Sequence, residues 1–63
     1  MNSKLLTFKD TKTGKRFVFN PIFIGCICEH YQVSGAITIT LISGTDEVCW
    51  VINYDYEVAQ KRW

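Results

Sequence analysis

The stretch Gly35-Ala-Ile-Thr-Ile-Thr-Leu41 decides how this chain is read. Ile37, Ile39 and Leu41 fall on one side of an extended backbone, and Thr38 and Thr40 on the other. Successive side chains of a strand point to opposite faces, so the segment has one buried and one wet face. Arg16-Phe-Val-Phe-Asn20 alternates in the same way. The neighbouring segments follow suit, and a small antiparallel sheet is the expected body of the molecule.

Working outward, Ala36–Ser43 is read as a fourth strand, Gly44–Glu47 as a turn and Val48–Asn53 as a fifth strand. In the fifth, Val48, Trp50 and Ile52 lie opposite Cys49 and Val51. Upstream, Tyr31–Gly35 is a loop and Ile22–His30 a third strand. That strand is apolar on both faces over part of its length, so it is expected to be central or covered on both sides. Gly25 within it points to a bulge or a close approach. Asn20-Pro21 ends the second strand, because proline has no N–H to donate and restricts the residue before it.

The first two strands, Lys4–Lys9 and Lys15–Asn20, form a hairpin around Asp10–Gly14. Gly14 can adopt positive φ there, and Asp10 can accept bonds from the turn backbone. At the other end, Tyr54–Trp63 reads as a short helix. Asp55 and Glu57 stand in its first turn and Lys61 and Arg62 in its last, as the helix dipole favours. Val58 and Ala59 are expected to pack on the sheet. The fold class is therefore mainly β: a five-stranded antiparallel meander or partial barrel with one short C-terminal helix.

The 63 residues have room for one domain, 1–63. A chain of this size buries roughly 60% of its unfolded surface and is marginal by itself, so self-association is an expected source of stability. At 48% hydrophobic and 14% aromatic it is too apolar to be disordered. No apolar run approaches the ~18 residues needed to cross a bilayer, and Met1–Lys9 has no long apolar region of a signal peptide. A cytoplasmic protein is expected. Three cysteines, two of them close together on one strand, do not suit the even, disulfide-dense pattern of small secreted domains.

Formal charge is only +1 but is segregated. Lys4, Lys9, Lys12, Lys15 and Arg16 against Asp10 make the first 16 residues +4. Glu29, Asp46, Glu47, Asp55 and Glu57 make residues 17–60 −5. Such a dipole favours contact with an oppositely charged surface.

Phe17-Val-Phe-Asn20, the apolar run Ile22–Ile27, Ile37-Thr-Ile-Thr-Leu41 with Gly44, and the closing Val51-Ile-Asn-Tyr-Asp-Tyr-Glu-Val58 occur in a telling order. In this order the chain resembles the small flagellar accessory proteins of the FlbD/SwrD type and their short non-flagellar relatives. Asn53 and Tyr54 stand where that family prefers Glu-Ser. The resemblance implies a non-catalytic, partner-binding protein and does not carry a flagellar role with it.

Four constellations bear on chemistry. Cys26, Cys28 and His30 share a strand face, and Cys49 lies on a later strand, a donor set that suits zinc. A Cys-x-Cys pair on a straight strand is poorly spaced for one ion, so core-filling thiols are the expectation, with no metal and no cofactor. Thiol catalysis lacks anything to orient His30, and no enzyme activity is expected. Lys9, Lys12, Lys15 and Arg16 gather on one hairpin, where a basic ribbon can meet phosphates. Solvated lysines that discourage edge pairing explain the same pattern.

Finally, Tyr31, Trp50, Tyr54, Tyr56 and Trp63 weight the C-terminal half with rings, and Asp46, Glu47, Asp55 and Glu57 accompany them. Nine aromatic residues exceed what so small an interior can hold, and surface rings mark protein interfaces. The expected function is a small interaction module or inhibitor, self-associating, that docks an aromatic, acid-rimmed face on another protein. An inhibitor encoded by a phage or mobile element is one version. The alternative is a nucleic-acid or nucleotide binder using the basic hairpin. No contact with a membrane is expected.

Overall fold

The computed structural model describes residues 5–63. Five strands and one helix follow in order: β1 (Leu6–Lys9), β2 (Arg16–Phe19), β3 (Ile24–Glu29), β4 (Ala36–Ser43), β5 (Asp46–Asn53) and α1 (Tyr56–Arg62). Lys4, expected to open the first strand, lies outside the described residues. The chain is mainly β, antiparallel throughout, with one C-terminal helix.

The single five-stranded meander is not what forms. β1 and β2 make a two-stranded sheet, and β3, β4 and β5 make a separate three-stranded sheet. The break lies at Asn20-Pro21. The Asn20 carboxamide oxygen accepts from the Ile22 N–H at 3.2 Å, and the Phe23 N–H donates to the Asn20 carbonyl at 3.0 Å. These bonds close one turn of 3-10 helix over Pro21–Phe23. The backbone leaves the plane of the hairpin there, so β3 starts at Ile24 and has no β2 beside it. The sheets do not close into a barrel.

β4 is the centre of the larger sheet, with the ends and the buried face expected of it, but its other face is not wet: Thr38 is half-buried and Thr40 is buried between its neighbours on β3 and β5. Ile37 and Ile39 are fully buried and Leu41 half-buried, all on one face. Ile39 sits between Ile27 of β3 and Trp50 of β5, and Ile37 opposite Ile52. The hairpin covers this face with Phe8 and Phe19, assisted by Leu6 and Phe17, and α1 adds Ala59. Phe8 is the hub: its ring meets Phe19 at 6.0 Å and Tyr54 edge-on at 5.0 Å. Side-chain burial of this kind stabilises by roughly 1.5–3 kcal/mol per large apolar residue.

Two expectations about the sheet need correction. β3 is an edge strand and is not covered on both sides: Ile24 and Ile27 are buried, while Cys26 and Cys28 are exposed. Cys49 is exposed too, so none of the thiols fills the core. Gly25 does mark an irregularity. The β3–β4 register shifts between Ile24 and Cys26, and a Cβ at Gly25 would collide with the Ile42 side chain.

The turns follow their sequences. Gly14 takes φ 76° and donates its N–H to the Asp10 carbonyl at 2.8 Å. Between β4 and β5 only Gly44 and Thr45 remain, because β5 begins at Asp46, earlier than expected. Gly44 has φ 63° and Thr45 does not have positive φ, the pattern of a type II′ hairpin. In α1, the Asp55 carboxylate caps the helix by accepting from the N–H groups of Glu57 (2.8 Å) and Val58 (3.4 Å). Ala59 is buried as expected, but Val58 faces solvent. Arg62 reaches back, donating to the Tyr54 hydroxyl at 2.8 Å and lying 4.8 Å from the centre of the Phe8 ring.

One side chain joins hairpin and sheet. The Asp10 carboxylate, buried at 6% exposure, accepts from the N–H groups of Lys12 and Thr13, both at 2.9 Å. It also accepts from the Asn53 N–H at 3.0 Å and from the Asn53 side-chain amide at 3.0 and 3.2 Å. Beside it, the Thr11 N–H donates to the Asn53 carbonyl at 2.9 Å. Asp10 thus closes its own turn and fastens that turn to the last residue of β5.

The core is small enough for one residue to matter. A domain of this length has a total stability on the order of 3–9 kcal/mol. Ile39→Ala removes a side chain packed on every side, a change that costs about 2–5 kcal/mol. Urea denaturation is expected to show Ile39→Ala less stable than the wild type by about 2–5 kcal/mol; a loss under about 1 kcal/mol would mean that β4 is not the packing centre.

Candidate interaction surface

The five rings singled out in the sequence do not form one face. Tyr31 lies in the loop after β3, 89% exposed and stacked on His30 with ring centres 5.5 Å apart. Tyr54 and Tyr56 are half-buried and pack against the core, so they support the interior more than they meet a partner. Trp63 is exposed at the C-terminal cap of α1. Trp50 alone sits on a broad apolar surface. It projects from the core face of β5, with one side against Phe17 at 5.9 Å and the other open.

The hairpin leaves that end of the sheet uncovered. Phe23, Leu41, Ile42, Val48 and Trp50, with Ser43 and Asp46, line an open cleft of about 330 Å³. Phe23, Ile42 and Val48 were not singled out in the sequence. Phe23 joins the cleft only because Pro21–Phe23 turns against β4, an arrangement that no local pattern announces, and Ile42 reaches it from the end of β4. Val48 shares the Trp50 face by alternation, so its signal was present.

β5 is unusual for its exposure. Every residue from Asp46 to Val51 is exposed. It forms one edge of the sheet and, among the described residues, pairs only with β4. Its other face, with Cys49 and Val51, continues onto Thr38, Thr40, Cys26 and Cys28; the three cysteines and Val51 are exposed, while Thr40 is buried between them. Long apolar edge strands are templates for pairing with another chain.

The acidic rim divides as well. Asp46 and Glu47 open β5, and Asp46 lines the Trp50 cleft. Asp55 is used as the helix cap, with Glu57 in the same turn.

The basic set does converge. Lys9 and Arg16 are directly opposite each other across the hairpin and face away from the core, and Lys12 and Lys15 occupy the exposed turn. Lys15 places its ammonium 5.6 Å from the centre of the Phe17 ring. Like charges directly opposite on a sheet are mildly destabilising. The Asp10–Asn53 contact sets this basic tip beside the end of β5.

The thiols give no metal centre among the described residues, where no group of three or more His, Cys, Asp or Glu side chains is placed to hold an ion. The His30 Nδ1 accepts from the N–H groups of Gln32 and Val33, both at 3.2 Å, and so closes the loop. Cys49 lies across β4 from Cys26, with its sulfur 3.6 Å from the Thr40 hydroxyl. The Cys26 and Cys28 sulfurs are 3.8 Å apart. The hydrogen bond between them, with the repulsion a second thiolate would meet, pushes the Cys28 thiol up from its ordinary value.

Compared with known family models, curated proteins and solved structures, the chain gives no match. No helix of the described residues is long and apolar enough to cross a membrane.

The paired thiols yield a direct test. Cys26→Ala removes the group that holds the Cys28 proton, so Cys28 is expected to react with iodoacetamide several-fold faster at pH 8. An unchanged rate would show that the two sulfurs do not share a proton.

Proposed function

We propose that this protein is a non-catalytic interaction module that docks another protein through β5 and the cleft beside Trp50. The observation that carries the reading is the strand itself: Val48, Trp50 and Val51 are 50%, 42% and 53% exposed on an edge with nothing described beside it. Within one copy only one side of Trp50 is packed, against Phe17, and about half of Val48 and Val51 stays open; Asp46 and Glu47 at the start of the strand favour a partner with basic groups at the rim. Edge pairing supplies backbone bonds, and the cleft receives a side chain. An inhibitor that covers a basic surface of its target is one form of this activity. The resemblance to the small flagellar accessory proteins implies partner binding without catalysis and agrees with it.

A second reading rests on Lys9 standing directly opposite Arg16 with Lys12 and Lys15 at the tip. Cations gathered at a cost in sheet stability suit a phosphate backbone.

One set of variants separates the two. Tagged wild-type protein, Trp50→Ala, Val48→Lys and the triple reversal Lys12→Glu/Lys15→Glu/Arg16→Glu are each recovered from native host cells with their bound material. Circular dichroism checks each fold. The docking reading expects protein partners to fall at least tenfold with Trp50→Ala or Val48→Lys and to persist in the triple reversal. Partners insensitive to both β5 variants would overturn it. Oligonucleotides retained at low salt, and lost only in the triple reversal, would favour the second reading.

A further inference from the structure

The backbone of β5 specifies more than an open edge. The Asn53 N–H and C=O point outward, to the Asp10 carboxylate and the Thr11 N–H. The Tyr54 N–H points inward, to the Gly35 carbonyl. Along an antiparallel strand these directions alternate. Even-numbered residues of β5 therefore bond to β4, while Glu47, Cys49 and Val51 turn their N–H and C=O groups outward. Nothing among the described residues accepts or donates there.

The open segment has a stop at one end and a charge at each. Beyond Val51 the edge is occupied by the turn that Asp10 fastens to Asn53, and that turn carries Lys12 and Lys15. At the other end stand Asp46 and Glu47. The geometry points to a second copy of this chain as the occupant of the edge, with β5 paired antiparallel to β5 of the partner about a two-fold axis at Cys49. This rests on the reading of β5 as the docking strand and names what docks.

Three features favour that register. It is the pairing in which all three open residues find partners, Glu47 with Val51, Cys49 with Cys49 and Val51 with Glu47. It sets Val48 across from Trp50 on one face, twice, covering both. It brings each acidic end of β5 toward the basic turn of the other copy and keeps the acidic ends apart. A one-sided charge distribution that would repel a parallel copy becomes complementary in the antiparallel one. Two three-stranded sheets thereby become one of six. A single strand pair is smaller than the roughly 800 Å² per partner of a standard interface, so the expected dimer dissociates in the micromolar range.

Cys49 supplies a readout. In the proposed register the two Cys49 Cα atoms face each other in a hydrogen-bonded pair, about 5.5 Å apart, within the range a disulfide spans. Three proteins are prepared, each retaining one of Cys26, Cys28 and Cys49, with serine at the other two positions. Each is treated at 100 µM with diamide, which takes the two electrons and two protons released when two thiols join. Sedimentation equilibrium is run in parallel on wild type, Asp46→Lys/Glu47→Lys, and that variant combined with Lys12→Glu/Lys15→Glu.

The inference expects a concentration-dependent dimer and a cross-link in the Cys49 protein at least tenfold faster than in the other two. It also expects about tenfold weaker association on reversing the acidic end, restored by reversing both ends. A dimer that cross-links no faster through Cys49, or is blind to both charge changes, would overturn this register. A wild-type monomer at 500 µM would overturn self-pairing. If Trp50-dependent protein partners persist in that case, the docking reading stands with a different occupant; if they are absent as well, both readings fall.

Discussion

A single carboxylate holds the two sheets of this protein in one arrangement. Asp10 collects four N–H groups, two from its own turn and two from Asn53, 43 residues further along the chain. Hydrogen bonds to a charged acceptor are stronger than neutral ones, and these hold the carboxyl well below its ordinary range, the Asn53 backbone N–H contributing most and the Thr13 N–H next. Among the described residues the hairpin has no strand ladder to the larger sheet. Its place over Ile37, Ile39 and Ile52 depends on apolar contact, which is non-directional, and on this clasp, which is directional.

The same clasp shapes the surface. By occupying the outer edge at Asn53 it ends the pairing potential of β5 on one side and leaves it free from Asp46 to Val51. It also carries Lys12 and Lys15 to the end of the strand opposite Asp46 and Glu47. The charge segregation visible along the chain thus becomes a separation in space along one strand. The uncovered end of the core face, around Trp50, follows from the hairpin being anchored at the far end of the sheet.

What was legible in the sequence was local. The ends of β4 and its buried face follow from the alternation of Ile37, Ile39 and Leu41, whereas the burial of Thr40 depends on the strands that flank it. The Asp10–Gly14 turn and the charges of α1 were legible because each depends on residues a few positions apart. What was not legible depends on contacts across the chain. Asn20-Pro21 announced the end of a strand but not that the next would leave the sheet, and the five-stranded reading failed there. Cys26 and Cys28 read as apolar fillers, yet both are exposed on the edge strand β3. For the candidate site, Trp50 and the surplus of rings were readable: Phe23, Tyr31, Trp50 and Trp63 are exposed. Their grouping was not, because Tyr54 is held at the core by Phe8 and Arg62, Tyr56 packs there too, and Tyr31 sits at the opposite end of β4 from the cleft.

The dependence on Asp10 has a definite sign in acid. A carboxyl that the folded state holds below its ordinary value of 3.8 stabilises the fold fully above that pH, and the contribution fades as pH falls below it. Urea unfolding of wild type and Asp10→Ala from pH 7 to pH 2 isolates this residue, since the other carboxyls are common to both proteins. A wide stability gap is expected at pH 7, narrowing steadily below about pH 4 as the wild type loses what the variant never had. Two parallel profiles, separated by the same gap at every pH, would contradict it.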